Sequence, residues 1–449
     1  MDLSIAANLF SISFFAAVVF TGFFRTLAKR YKILIDLPDK NRKFHKRPTP
    51  LVGGLGIHAA MLFGLSLLFL TIDSKVFDLK DNVASLKTNV EVVSNEDSQS
   101  YKVTANKSDS TNERAIEVMV DGYDSPISVR QNSEGVFEVL DPDGNIKLFS
   151  YTDGAVQELN SAEQFIVVGP ASNQYFNFTS LVLAVVFASI LLQLIIIIDD
   201  LRGLHSLVRL MVQAGASVLV IALSGDYLTN LGFEILGWNG ELGWFGMLFT
   251  VFAVTGMMNA FNMIDGINGL CSGMVLSALC CLLLVGVNSS ASLGLFITIG
   301  SLLGFMLYNM GLFGKKRAVF LGDNGSNFLG FMLAWTLIHY SSADLQIIRP
   351  VTALWLVAIP LWDTIILIVN RLRSGQGAFI AGRDHIHHIL FDSTSLSGYG
   401  PLTVLLSASL ALGLTGIILE NFVSAEASLM LFVASGFGYA MLRLKLAAN

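Results

Sequence analysis

Charge is scarce in this chain. Only 14% of its 449 residues are Asp, Glu, Lys or Arg, and 53% are hydrophobic. Soluble domains carry about 25% charged residues. With a mean hydropathy of +0.63, the balance excludes a soluble enzyme of two or three domains and points to a polytopic membrane protein. Cysteine is scarce too. Cys271, Cys280 and Cys281 lie in or near one apolar run, with no zinc-site spacing and no even count for a disulfide framework, so they read as packing residues. The first residues, Met1 to Phe24, lack a basic leading segment and a small-residue cleavage site. They read as a retained helix, not a signal peptide. Paired half-helices and internal repeats, the marks of many transporters, are also missing.

What the chain does have is long apolar runs. A helix needs about 20 apolar residues to cross the hydrocarbon. Runs at 5–25, 52–73, 179–198, 208–224, 244–262, 270–288, 291–312, 325–341, 350–370, 401–419 and 425–443 predict about 11 transmembrane helices. Basic residues then fall on one side. The loop from Arg25 to Arg47 holds nine Lys or Arg against Asp36 and Asp39. Lys315, Lys316 and Arg317, then Arg371, Arg373 and Arg383, then Arg443 and Lys445 share that side. The positive-inside rule makes it cytoplasmic and puts the N-terminus outside.

Residues 74–178 fall on the opposite side and form the one large soluble insertion between the helical parts 1–73 and 179–449. Seventeen acidic residues face eight basic ones there, a net charge of −9. Residues 115–120, 127–130, 136–140 and 146–151 alternate like strands, and Asp141-Pro-Asp-Gly-Asn145 is strong turn chemistry. The expected architecture is an all-α polytopic membrane protein with an inserted small β-rich extracytoplasmic domain. Ser94 to Asn112 is polar and reads as loop or disorder.

Four polar clusters interrupt or end the apolar runs. From Asn259 to Leu270, six residues in twelve are Asn, Asp or Gly. Such groups are costly at membrane depth unless they face protein or a water-filled cavity. Asn259, Asn262, Asp265 and Asn268 recur every third residue, along one side of a helix. They suit a Mg²⁺ shell, hydrogen bonds to a base edge, or an interhelical polar contact. Asp199-Asp200 ends another run. Two adjacent carboxylates can hold Mg²⁺, steer a proton, or simply end a helix. Gly322-Asp323-Asn324-Gly325-Ser326 is a tight turn entering a helix, suited to phosphate oxygens or to plain capping. His385-Ile386-His387-His388 follows Arg371, Arg373 and Arg383 and adjoins Asp384. It suits a pyrophosphate better than zinc, because no cysteine or fourth ligand is near.

In this order and on one side, these clusters resemble the polyprenyl-phosphate N-acetylhexosamine-1-phosphate transferases, which include phospho-MurNAc-pentapeptide translocase. The His-x-His-His pattern is similar to the branch that starts O-antigen, common antigen and teichoic-acid linkage units. Pro48-Thr-Pro-Leu-Val-Gly-Gly54 resembles that family's entry to the second helix. The resemblance covers nearly everything outside 74–178. Two departures stand out: Gly203 occupies the third acidic position of the family's Asp-Asp-x-x-Asp pattern, and the large insertion is not typical.

The resemblance implies an enzyme of the bacterial cytoplasmic membrane, working at its inner face. A polyprenyl monophosphate would attack the β-phosphate of a UDP-N-acetylhexosamine, most simply UDP-GlcNAc, and release UMP. By matching motifs, Asp323 and Asn262 would hold Mg²⁺ (or Mn²⁺ in its place). Asp199 or Asp200 would deprotonate or orient the lipid phosphate, and Asp265 would act with Asn268 and Asn259 near the nucleotide. Lys46, Arg383, His385, His387 and His388 would grip phosphate or the acetamido sugar. Arg209 would neutralise phosphate. Implied partners are undecaprenyl phosphate, the UDP-sugar and the bilayer, with no nucleic acid. An extracytoplasmic protein partner for the insertion and a homodimer stay open. A transporter or flippase is the competing reading, and a receptor a third. Four polar clusters on one face favour the enzyme over both.

Overall fold

Each predicted apolar run is helical in the computed structural model. It describes residues 3–38, 47–82, 172–234, 237–286, 292–342, 346–375, 377, 384–394, 396 and 398–447, together with strands between 88 and 167; side chains at 3 and over 71–179 lie outside the description. Two compact units emerge: Met1–Phe69 with Phe176–Asn449, and Leu70–Tyr175.

The first unit begins with α1 (Leu3–Tyr31), the short strands β1 (Ile35–Asp36) and β2 (Thr49–Pro50), and α2 (Gly53–Asn82). It continues with α3 (Ser172–Arg202), α4 (Ser206–Ser224), α5 (Phe245–Ile264), α6 (Leu270–Gly286), α7 (Ser292–Asn309) and α8 (Gly322–Tyr340). Then come α9 (Pro350–Leu356), α10 (Ala358–Arg373), α11 (Ile386–Ser393), α12 (Gly400–Phe422) and α13 (Ala425–Ala447). Small residues let these helices touch. A Cβ on Gly300 or Gly304 of α7 would run into the carbonyl of Phe10 or Phe14 of α1. That is the small-residue packing expected where lipid supplies no hydrophobic drive between helices. The principal core gathers Ile57, Phe261, Met274, Leu302, Phe305 and Phe328. Cys271 and Cys281 are buried and Cys280 is exposed, all as free thiols. Large apolar side chains such as Phe15, Phe252, Phe422 and Phe437 point outward, as lipid-facing helices require.

The expected count of eleven crossings is met in part. Among the described residues eight helices are long and apolar enough to span: α1 to α5, α7, α12 and α13. A ninth results if α9 and α10, bent by 82° at Val357, are one broken span. Pro360 in the first turn of α10 has no N–H for a bond back into α9, so the ladder stops there. At 17 residues α6 is about 26 Å long, at the short end of what a crossing needs. The opening turn of α8 is too polar, yet fifteen of its nineteen residues are buried. Protein, not lipid, surrounds it, so its polar residues need not meet hydrocarbon.

The second unit contains eight strands: β3 (Thr88–Val93), β4 (Ser100–Lys107), β5 (Ala115–Met119), β6 (Ile127–Gln131), β7 (Phe137–Leu140), β8 (Ile146–Thr152), β9 (Ala155–Glu158) and β10 (Ile166–Val167). They pair in the order β10-β3-β4-β5-β6-β7-β8-β9, each pair antiparallel. Strand β4 corrects the loop expected over 94–112. Its Tyr101, Val103 and Ala105 alternate with Lys102, Thr104 and Asn106, a period of two hidden in a polar stretch.

Candidate active site

Helices α5 and α8 cross antiparallel, and their contact sets the register of the site. A Cβ on Gly330 of α8 would stand 2.8 Å from the Met258 Cα of α5, so the backbones meet there. One turn along both helices, the Asn262 amide donates to Ser326 Oγ over 2.9 Å. A further turn puts Asp265 and Asp323 in electrostatic contact, with Asn262 hydrogen-bonded to the Asp323 carboxylate. The three-residue spacing read in the sequence thus delivers Asn262 and Asp265 to the polar start of α8.

The entry to α2 closes on the same turn. Gly53 N and Gly54 N donate to Phe320 O and Leu321 O at 3.0 and 3.1 Å. Any side chain at Gly54 would overlap Asn324 and Gly325. Asn324 Nδ2 reaches Leu51 O at 3.2 Å and Asp200 Oδ2 at 3.3 Å.

Helix α3 brings the paired carboxylates and stops at Gly203, whose φ of +69° is left-handed. Gly203 N donates to Asp199 O over 2.7 Å, and Leu204 N to Asp199 Oδ1 over 2.6 Å. Asp199 is buried and partly committed to this cap, while Asp200 is half-buried beside Asn324. From α4, Arg209 links two clusters: Nε lies 3.4 Å from Asp199 Oδ2 and Nη1 3.7 Å from Asp323 Oδ2. One turn on, Gln213 donates to Asn327 Oδ1 at 2.5 Å and accepts from Asn259 at 2.7 Å. Asn327 donates to Asp323 O at 2.7 Å.

The histidine stretch supplies another wall. His385, which precedes α11, is buried with Nδ1 3.2 Å from Asp363 Oδ2. His387 is 1% exposed, and both of its ring nitrogens are buried without a hydrogen-bond partner. Its Nε2 lies where a Cβ on Gly266 would be, next to Asp265. Burial, then the neighbouring His388 and His385, push His387 down to about 3, so its ring is neutral at pH 7. Burial works to raise Asp384, but the hydrogen bond and charge of Arg371 outweigh it and hold this carboxyl below its usual range.

Asp199, Asp200, Arg209, Asn262, Asp265 and Asp323 therefore converge, with His387 joined to them through Gly266. Asn259 stands a layer back, spent on Gln213 and the Thr255 carbonyl. Asn268 is exposed, and His388 is half-buried with its ring centroid 4.2 Å from that of His387. Lys46 and Arg383 lie outside the described residues. Gln213, Asn327, Asp363 and Tyr439 carry no motif in the sequence, and Arg371 and Arg443 read there only as basic residues of the cytoplasmic side. The signals were Gln213 one turn after Arg209 and Asp363 alone in an apolar run.

Among the described residues no three His, Cys, Asp or Glu side chains group so as to hold a metal by themselves. The donor set still fits Mg²⁺, which takes one or two protein oxygens and completes its shell from substrate phosphate and water. Burial, then the charge of Asp323, push Asp265 up to about 8.

Acidic and amide side chains gathered at helix ends in a membrane protein define a class of site suited to phosphate chemistry. Comparison with known proteins makes the class specific. Residues 182–341 match Glycosyl transferase family 4. The undecaprenyl-phosphate alpha-N-acetylglucosaminyl 1-phosphate transferase of Yersinia pestis is 36% identical over 253 residues, 55% of this chain and 69% of the relative. Its counterpart in Escherichia coli (strain K12) is 34% identical over 247 residues, 54% of this chain and 67% of the relative. The chain belongs to glycosyl transferase family 4.

Proposed function

We propose that this protein transfers GlcNAc-1-phosphate from UDP-GlcNAc to undecaprenyl phosphate at the cytoplasmic face of a bacterial membrane. An oxygen of the lipid phosphate forms a new bond to the β-phosphorus. The bond from that phosphorus to the oxygen bridging it to the α-phosphate breaks, and UMP leaves. The observation that carries the reading is the Arg209 guanidinium between Asp199 and Asp323, with Asn262 on the same carboxylate. Two anions must meet, so neutralising and aligning charge is the main task of such a site. Asp323 and Asn262 would hold Mg²⁺, which supplies charge neutralisation at the diphosphate when bound.

The chain's own residues divide the remaining work. Asp200, turned toward Asn324, orients or deprotonates the lipid phosphate, and Asp199 anchors Arg209 there. Asp265 and Asn268 face the nucleotide. His387, neutral and with both nitrogens unspent, suits the acetamido group of the sugar better than a phosphate charge. The insertion is read as an extracytoplasmic β-rich domain, and the product as the start of a cell-surface polysaccharide of the O-antigen or common-antigen kind. The test is UMP release by the purified chain with undecaprenyl phosphate, Mg²⁺ and a panel of UDP-sugars. UDP-GlcNAc should be preferred; preference for another sugar, or no release, would overturn the assignment.

A further inference from the structure

Asp363 sits in the apolar run of α10 and is 1% exposed. A carboxylate so placed is costly unless paired and hydrogen-bonded. Its partners come from two other parts of the chain. His385 Nδ1 lies 3.2 Å from Oδ2, Tyr439 Oη donates to Oδ1 over 3.1 Å, and Arg443 Nε lies 3.8 Å from Oδ1. Arg443 also donates to the Asp384 carbonyl, directly before His385. Arg371, buried on α10, grips the Asp384 carboxylate twice, from Nε at 3.2 Å and Nη2 at 2.8 Å. Two helices thus converge on the dipeptide that opens the histidine stretch.

We propose that Asp363 is a positioning residue that acts through His385, and that Tyr439 and Arg443 of α13 hold it in place. The proposal rests on reading the histidine stretch as part of the transferase site. A carboxylate that accepts from a phenol and faces a guanidinium has no proton to give, so the Nδ1–H of His385 donates to it. That fixes the ring's orientation and makes Nε2 the nitrogen turned to substrate. A carboxylate behind an imidazole aligns it in hydrolytic triads and at metal sites in the same way. The C-terminal helix then acts as a strut for a substrate contact, not merely as one more membrane helix. An ion pair that only tied α10 to α13 would act on stability whatever stood at position 385.

The test is a double-mutant cycle in the full-length purified chain, with UMP release as the readout. Asp363→Asn should lower kcat by at least about 30-fold while KM for UDP-GlcNAc changes less than about threefold, as for an interaction made mainly in the transition state. Tyr439→Phe, a milder change that keeps the ring, should lower kcat about threefold to tenfold. In a His385→Ala background neither substitution should cost more than about a further twofold, because groups acting as a unit are not additive. Losses that multiply in that background, or native kcat in Asp363→Asn, would overturn the proposal. Should Asp363→Asn fail to fold, the Tyr439→Phe cycle decides alone. Should the wild-type chain release no UMP, the transferase reading fails separately, and the same cycle is read in the thermal shift produced by UDP-GlcNAc. Non-additive shifts would then sustain the positioning role and additive ones would end it.

Discussion

His387 occupies the space that a side chain on Gly266 would need. The Nε2 atom of one lies where the Cβ of the other would be built, and His387 is buried on all sides. The glycine in the Asn-Met-Ile-Asp-Gly-Ile-Asn segment is therefore a seat for the histidine of a distant segment. It joins two motifs that are separated by more than a hundred residues.

Gly266→Ala should accordingly unseat His387. Overpacking in a filled site costs about 1–3 kcal/mol, and a displaced contact should lower turnover about tenfold or more. The protein should still insert and elute normally. Turnover within twofold of the wild type would mean that His387 is not held by this contact.

Asp323→Asn should abolish transfer without loss of the fold. Its carboxylate is the point on which Arg209 and Asn262 converge. Removing a charge from a metal-and-phosphate site should cost several kcal/mol of transition-state stabilisation, or at least about a thousandfold in rate. The check is single-turnover UMP release at saturating Mg²⁺, where near-native rates would rule out the metal role.

Asp265 gives a pH signature. Its carboxyl is raised from the ordinary 3.8 to about 8 by burial and by Asp323. The folded state therefore holds a proton that the unfolded chain releases, and stability without divalent cations should fall as pH rises between those two values. Asp265→Asn should flatten that slope. Cation binding to the protonated site should release its proton, so Mg²⁺ affinity should rise with pH over the same window. Melting curves in EDTA and Mg²⁺ titrations at several pH values check both. A wild-type slope that survives Asp265→Asn would remove this residue from the account.

Replacing residues 83–171 by a short Gly/Ser linker should leave transfer largely intact. Leu70–Tyr175 clusters as its own compact unit, and every converging side chain belongs to the other. Loop-closure cost changes slowly with length, so the shorter connection need not strain α2 and α3. The check is UMP release by a variant shown to be inserted. Complete loss of release would make the insertion part of the active fold.

Much of the site was legible in the sequence, because carboxylates and amides stand out in apolar runs. The pairing of Asn262 with the start of α8 was not legible. It depends on Gly330 meeting Met258, and no local pattern encodes which two helices touch. The number of crossings is less legible for a related reason. Hydropathy measures a helix as though lipid surrounded it, and α8 is surrounded by protein. Asp363 was passed over because one acid in an apolar run carries no motif. Its partners lie 22 to 80 residues further along the chain, His385 at the head of α11 and Arg443 on α13. The charge state of His387 was also hidden: the sequence shows a run of histidines near basic residues, whereas the fold buries this ring against His388 and His385.

Gly203 leaves room for a different history. It takes a left-handed conformation, and a Cβ built there meets nothing within 4 Å. An aspartate tolerates that conformation better than most residues and would cost about 1 kcal/mol in backbone strain. Glycine and aspartate codons differ by one base. The third carboxylate of the acidic pattern is thus one mutational step away and needs no repacking. A carboxylate there would change the charge of the site while the chain reversal that ends α3 stays the same.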